Sequence, residues 1–94
     1  IYEDDISIAF NDISPQAPTH ILVIPKKEIQ KISEADENDK ELLGHLLLVA
    51  KKITEENNIK DFRLVVNNGT EAGQTVFHLH IHILAGRAFG WPPG

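Results

Sequence analysis

The sequence predicts a single small domain that combines strands with one long helix. The first sign is Phe77-His78-Leu79-His80-Ile81-His82-Ile83-Leu84, where apolar residues alternate with histidines. A period of two belongs to a strand, whose successive side chains point to opposite faces. The second is the span from Asp39 to Asn57. There Leu42, Leu46, Val49, Ala50 and Ile53 follow the i, i+4, i+7, i+8, i+11 spacing of one helical face. The third is length: 94 residues without a repeat, a low-complexity tract or a boundary make one domain, residues 1–94. A chain this short buries only about 60–65% of its unfolded surface, so its core is thin and association would help it.

The elements follow in order. Ile1 to Asp5 reads as the end of an upstream strand running into an acidic turn. Ile6 to Phe10 alternates, with Ile6, Ile8 and Phe10 on one face. Asn11 to Pro18 is a loop, because its Asn, Asp, Ser and Pro residues are turn formers. Thr19 to Pro25 is a strand whose nearly continuous apolar run predicts burial on both faces. Glu28 to Glu37 predicts a short helix, with Ser33 and Asp36 spaced as a capping box.

The long helix has acidic residues before and at its start and Lys51 and Lys52 late, which suits its dipole. Leu43 and Leu47 widen its apolar stripe. Such an arc fits a helix between sheet and loop, or one shared with a second subunit. Gly44 costs roughly 1 kcal/mol inside a helix, which predicts a close approach by another backbone; His45 carries no assigned role. Phe62 to Asn67 is the next strand. Asn68 to Thr75 is longer than a hairpin needs. The alternating strand then runs to Ala85, with Phe77, Leu79, Ile81 and Ile83 directed at the core. The tail from Gly86 to Gly94 carries Phe89 and the only Trp, Trp91, which predicts docking rather than fraying.

Composition narrows the chemistry. Hydrophobic residues make 41% and charged residues 24%, an ordinary globular balance. The net charge of −5 lacks the basic footprint of a nucleic-acid binder. No cysteine is present, which removes disulfides, thiol catalysis and cysteine zinc sites and fits a cytoplasmic setting. No apolar run reaches the ~18 residues of a membrane span, and no signal peptide is visible. The chain opens at Ile1 rather than Met, which implies a preceding segment.

His78, His80 and His82 fall in register on one face, and three imidazoles in a row call for a reason. One is a solvated strand face. A second is a metal site, to which at most two neighbours contribute, because His78 and His82 stand roughly 13 Å apart along a strand. A third is catalysis, for which an imidazole pKa of about 6.5 is suited. His20 opens a strand that a shared sheet would bring alongside the row. Asp12 could accept two hydroxyl donors, as from a ribose. Gly69, Gly73, Gln74 and Thr75 suggest an anion cradle, the alternative being a flexible hairpin. The Walker pattern fails there: Gln74 stands where Lys is required, and a strand follows instead of a helix.

The run His78-Leu79-His80-Ile81-His82-Ile83-Leu84 resembles the His-φ-His-φ-His-φ-φ motif of the histidine triad superfamily, φ being apolar. Asp12 to His20, the Gly73-Gln74-Thr75 entry and the closing Trp91-Pro92-Pro93-Gly94 resemble its nucleotide-binding (HINT) branch. The resemblance spans essentially the whole chain. It implies an α+β fold, a five-stranded antiparallel sheet with one long helix and a short one, and a homodimer whose sheets join. It implies hydrolysis of the P–N bond of adenosine or guanosine 5′-phosphoramidates, through a nucleotidyl-histidine intermediate.

By that resemblance His80 is the nucleophile, His82 contacts the phosphate, His78 supports the site and His20 lies beside it. Asp12 holds ribose hydroxyls, and Phe10 and Ile13 border the base. Asn67, Gly73, Gln74 and Thr75 surround the phosphate and the leaving group, with Thr75 also able to relay a proton. Trp91 reaches toward the partner subunit's site. No metal or other cofactor is implied, and the partners are a purine nucleotide of the AMP or GMP type and a second copy of the chain, with no nucleic acid and no membrane. Two positions depart from the usual pattern: Thr75 replaces Ser, and Asn11 stands where His is common. The alternatives are a dinucleoside polyphosphate hydrolase or nucleotidyltransferase of the same superfamily, a nucleotide-binding adaptor with incidental hydrolysis, and a zinc protein using two of the histidines.

Overall fold

Five strands form one antiparallel sheet, and one helix covers one of its faces. The computed structural model describes residues 1–94. The strands are β1 (Tyr2–Glu3), β2 (Ser7–Asn11), β3 (Thr19–Pro25), β4 (Phe62–Val65) and β5 (Ile81–Ala85), and the helix is α1 (Lys40–Glu56). Their order across the sheet is β1-β2-β3-β5-β4, every pair antiparallel. The last strand is thus inserted between β3 and β4. Three single 3-10 turns complete the chain.

The core lies between α1 and one face of the sheet. Leu46, Val49, Ala50 and Ile53 of the helix stripe are buried against Ala9, Ile21, Val23, Ile81 and Ile83. Truncating a residue such as Leu46, fully buried here, costs about 2–5 kcal/mol. The opposite face has no helix. Leu22, Ile24, His82 and Leu84 are only half-buried there, so β3 is covered on one face and not on both. On β2 it is Ser7 and Ala9 that face the helix, both at 0% exposure. The larger apolar residues, Ile8 and Phe10, face the open side. On α1, Leu47 and Leu48 are 52% and 65% exposed, and nothing lies within 4 Å of where a Cβ on Gly44 would stand. No backbone of this chain makes the close approach that Gly44 predicts.

The alternating strand is shorter than its sequence pattern. Its ladder begins at Ile81, so only His82 of the three histidines lies in it. Val76 and Phe77 are 62% and 46% exposed, and Phe77 is outside the core. The ladders on both sides stop short of Phe77, although β3 itself runs on to Pro25. In the pairing of β3 with β5, Val23 lies opposite Ile81, and β4 stops at Val65 opposite His82. Beyond that point other bonds hold the lead-in: Leu79 N–H donates to the Ile29 carbonyl at 2.7 Å, and the His78 ring to the Pro25 carbonyl at 2.8 Å.

The expected short helix is two 3-10 turns, Ile32–Glu34 and Glu37–Asp39. The capping box forms three residues later than the sequence spacing suggests, between Asp36 and Asp39. Ser33 N–H donates to the Asn68 side chain instead.

One carboxylate ties helix to sheet. Asp4, in the β1–β2 turn, accepts from the amides of Ile6 and Ser7, from the Ser7 hydroxyl, from Tyr2 and, at 2.7 Å, from His45 Nε2 of α1. Burial pushes its pKa up, and these bonds, led by the Ile6 amide, overcome that and hold it well below the usual carboxylate range. His45 therefore has a structural task. Asp4→Ala removes an acceptor that five donors share, and an unmatched buried donor costs about 1–3 kcal/mol. We expect a lower urea midpoint for this variant with an unchanged denaturant slope.

Candidate active site

The uncovered sheet face and the loops at its edge enclose a cleft of about 700 Å³. Leu22, Ile24, Val65 and Leu84 form apolar wall, and Phe10, Asp12, Ile13 and Ser14 come from the end of β2 and the loop after it. Asn67, Gly73, Thr75 and Val76 come from the β4–β5 connection. His20, His78, His80 and His82 all border it. Sheet register explains why His20 joins the row. His20 pairs with Leu84 and Leu22 with His82, so the two histidines are diagonal neighbours on one face, a spacing that long or aromatic side chains bridge.

The hydrogen bonds assign every proton in this group. Gln16 N–H donates to His20 Nδ1 at 3.0 Å, so neutral His20 carries its proton on Nε2. That Nε2–H faces His82 Nδ1 at 2.8 Å, with Asp12 Oδ2 further off at 3.4 Å. His82 Nδ1 is therefore an acceptor, and neutral His82 carries its proton on Nε2. This atom is buried and has no partner in the chain, the only such side-chain atom in the protein. His80 Nδ1 lies 2.6 Å from the carbonyl of His78, which can only accept, so His80 Nε2 keeps its lone pair. His78 Nε2–H is spent on Pro25. The rings of His80 and His82 meet edge to face at 4.8 Å. A free lone pair and an unmatched N–H thus stand side by side.

The loop before the histidines owes its shape to Gly73, at φ +99°, which closes the 3-10 turn Thr70–Ala72 beside the Asn67 amide. Asp12 Oδ1 accepts from Ser14 N–H at 2.7 Å. Its carboxylate retains lone pairs for a ligand. Gln74 is a correction. It is buried, accepts from Gly69 N–H and donates to the carbonyls of Gln30 and Val76. Its amide braces the loop and does not face the cleft. A sequence pattern marks a residue type suited to phosphate, and cannot show that its donors are already used. Leu22 and Ile24 are the wall that sequence reading missed. The signal was present, since they share strand parity with His20. Trp91, 83% exposed, touches no part of this cleft.

Asp12, His20 and His82 are the three residues close enough to hold a metal together, their ligand atoms lying within 4.8 Å of one another. Two nitrogens at about 2.0–2.1 Å from a tetrahedral ion stand about 3.3 Å apart. The 2.8 Å between His20 and His82 is hydrogen-bond geometry. The pair fits a shared proton better than an ion.

A HIT domain model matches residues 1–89. The chain belongs to the HIT family. An uncharacterized HIT-like protein of Synechocystis is 60% identical over 95 residues, covering all of this chain and 83% of that one. The structure of a HIT family hydrolase from Legionella pneumophila superposes with a TM-score of 0.96 at 46% identity, over 100% of this chain and 86% of that one. A histidine triad nucleotide-binding protein from Candida albicans gives 0.82 at 29% identity, over 100% and 73%. As a HIT protein the chain has the expected sheet and long helix. No helix is long and apolar enough to cross a membrane.

Burial pushes the His82 pKa below the ordinary imidazole value, and the nearby His80 and His20 reinforce this, against a smaller opposing pull from Asp12. The sign follows from linkage. Below about pH 6.5 the unfolded chain takes a proton on this residue that the folded chain refuses. Its contribution to stability is complete above that pH and is lost as pH falls toward the lowered folded value. We expect the urea midpoint to fall from pH 7.5 to pH 5, and to fall less steeply in His82→Asn. Parallel slopes for the two proteins would contradict this.

Proposed function

We propose that this HIT protein is a purine nucleoside phosphoramidase of the HINT branch. The observation that carries the proposal is the pairing of His80 Nε2, a fixed lone pair, with His82 Nε2–H, a buried unmatched donor. An attacking nucleophile beside an oxyanion donor is what displacement at phosphorus needs. The names of the Legionella and Candida proteins support hydrolysis and nucleotide binding in turn.

In this reading His80 Nε2 attacks phosphorus as the P–N bond to the amine breaks. The departing amine takes up a proton from solvent water, passed on by the Thr75 hydroxyl at the cleft. His80 Nδ1–H stays on the His78 carbonyl and steadies the positive charge that develops on the ring. Water then attacks the nucleotidyl-histidine, the bond to His80 breaks, and the nucleoside monophosphate leaves. His82 donates to the phosphoryl oxygens. The amides of Thr75 and Val76, which donate to nothing else in the chain, are further donors for that charge. Asp12 takes the ribose hydroxyls. Phe10 and Ile13, 40% and 98% exposed, are apolar surface that a purine ring would cover.

The exposed Leu47 and Leu48 beside Gly44, and the free edge of β4, support pairing with a second copy whose sheet continues this one. In such a pair Trp91 has a place on the partner's site. The composition and the absence of cysteine support a cytoplasmic setting.

Adenosine 5′-phosphoramidate given to the wild type and to His80→Ala tests the activity. We expect AMP from the first and a loss of at least about a thousandfold in the second. Near-full activity in the variant would remove His80 as nucleophile. Faster release of AMP from a dinucleoside polyphosphate would favour the sister activity. For the pairing, Leu47→Glu with Leu48→Glu should halve the mass measured by sedimentation while leaving the far-ultraviolet dichroism unchanged.

A further inference from the structure

The segment after β5 lies at the surface, yet it is tied to the ligand loop. Gly86 sits at φ +96°, and a Cβ there would stand 2.8 Å from the Pro18 Cβ. Only glycine lets the chain pass so near. Arg87 then donates through Nε to the Gln16 carbonyl at 3.0 Å and through its Nη1 to the Ala88 carbonyl at 3.1 Å. The Phe89 ring packs under the guanidinium of Arg87 at 4.3 Å and under that of Arg63 at 5.2 Å. Arg63 in turn holds the Gly90 carbonyl. Neither arginine pairs with a carboxylate. An exposed arginine is ordinarily a solvated charge; this one spends its fork on two main-chain carbonyls.

Gln16 is where this matters. Its carbonyl is held by Arg87, and its N–H supplies the hydrogen bond that fixes the tautomer of His20. Between the two strands, residues 13–18 make no bond from main chain to main chain, and Asp12 N–H on the His20 carbonyl closes the loop. Apart from the Gln16 bond to His20 itself, Arg87 supplies the hydrogen bond that ties the tip of this loop to the rest of the fold.

We propose that Arg87 is a positioning residue for His82: by pinning Gln16 it keeps the Gln16 amide on His20 Nδ1, and so keeps the His82 proton on Nε2, the buried nitrogen of a ring that borders the cleft. Release of that amide lets the pair reverse. His82 Nδ1–H would then donate to His20 Nε2, and His82 Nε2 would carry a lone pair where it now carries a proton. A lone pair repels phosphoryl oxygens that an N–H would bind. What Arg87 protects is therefore the sign of the group that meets the phosphate. The consequence for turnover rests on the phosphoramidase reading; the tautomers exist without substrate.

The test is a long-range nitrogen–proton correlation spectrum of the imidazoles in the full chain, without nucleotide, at pH 7.5. In the wild type we expect His20 and His82 both as the Nε2–H form. In Arg87→Met, which keeps an apolar stem against Phe89 and loses both donors, the ratio of Nε2–H to Nδ1–H at His82 should fall at least about fivefold, the effect of losing one hydrogen bond. Arg87→Lys, which keeps a donor but not the planar fork, should fall between. Arg63→Met loosens the same tail without touching Gln16 and should match the wild type. Unchanged tautomers in Arg87→Met would overturn the proposal, as would an equal shift in Arg63→Met. Should the tautomers shift as expected while the wild type releases no AMP, the relay stands and the phosphoramidase reading fails.

Discussion

The hydrogen bond from His20 to His82 is the constraint around which the cleft is built. It exists because β5 is inserted beside β3 in a register that makes the two residues diagonal neighbours. A slip of one residue would turn His82 to the helix side and Ile83 to the cleft. The register in turn follows from the core, since Ile21, Val23, Ile81 and Ile83 must all meet α1. Hydrophobic burial on one face thus sets the spacing of polar groups on the other. On that other face, burial of its own ring lowers the His82 pKa and favours the neutral form, the state in which one nitrogen accepts while the other donates.

The sheet is covered on one side only, and that shapes the rest. A thin domain with an uncovered sheet face would normally be poor in stability. Here the uncovered face is the wall of the cleft, and its apolar side chains, Leu22, Ile24 and Leu84, are left half-buried for a ligand to cover. The Asp4 clasp compensates at the far edge by holding the β1–β2 turn to the helix through His45. These two polar clusters divide their tasks: one fastens the helix, and the other orders four imidazoles.

Much of this was legible in the sequence. The helix stripe, the extent of β3 and the Asp12 loop were plain because each is a local pattern that tertiary packing did not override. The place of His20 beside the row also followed, since any shared sheet would bring it there. What stayed hidden depended on partners. The start of β5 at Ile81 depends on where its pairing with β3 and β4 ends. The amide of Gln74 looked suited to phosphate because its type is, and only the structure shows that Gly69, Gln30 and Val76 consume it. Asp36 took the cap expected of Ser33, because Asp39 lay where it could return the bond.

Three chemically identical side chains on alternate positions are made unequal by what each ring finds to bind. His78 gives its Nε2–H to Pro25. His82 has its Nδ1 lone pair engaged by His20 and carries a proton on the other nitrogen. Of the three, His80 alone has an Nε2 lone pair at the cleft, because its Nδ1–H goes to the carbonyl of His78. No difference in intrinsic basicity is needed to select an attacking ring. The selection is made by two main-chain carbonyls and one main-chain amide, none of which a side-chain motif records. The motif states that imidazoles are needed at these positions. The backbone around them decides which of the imidazoles can attack, and which can only donate.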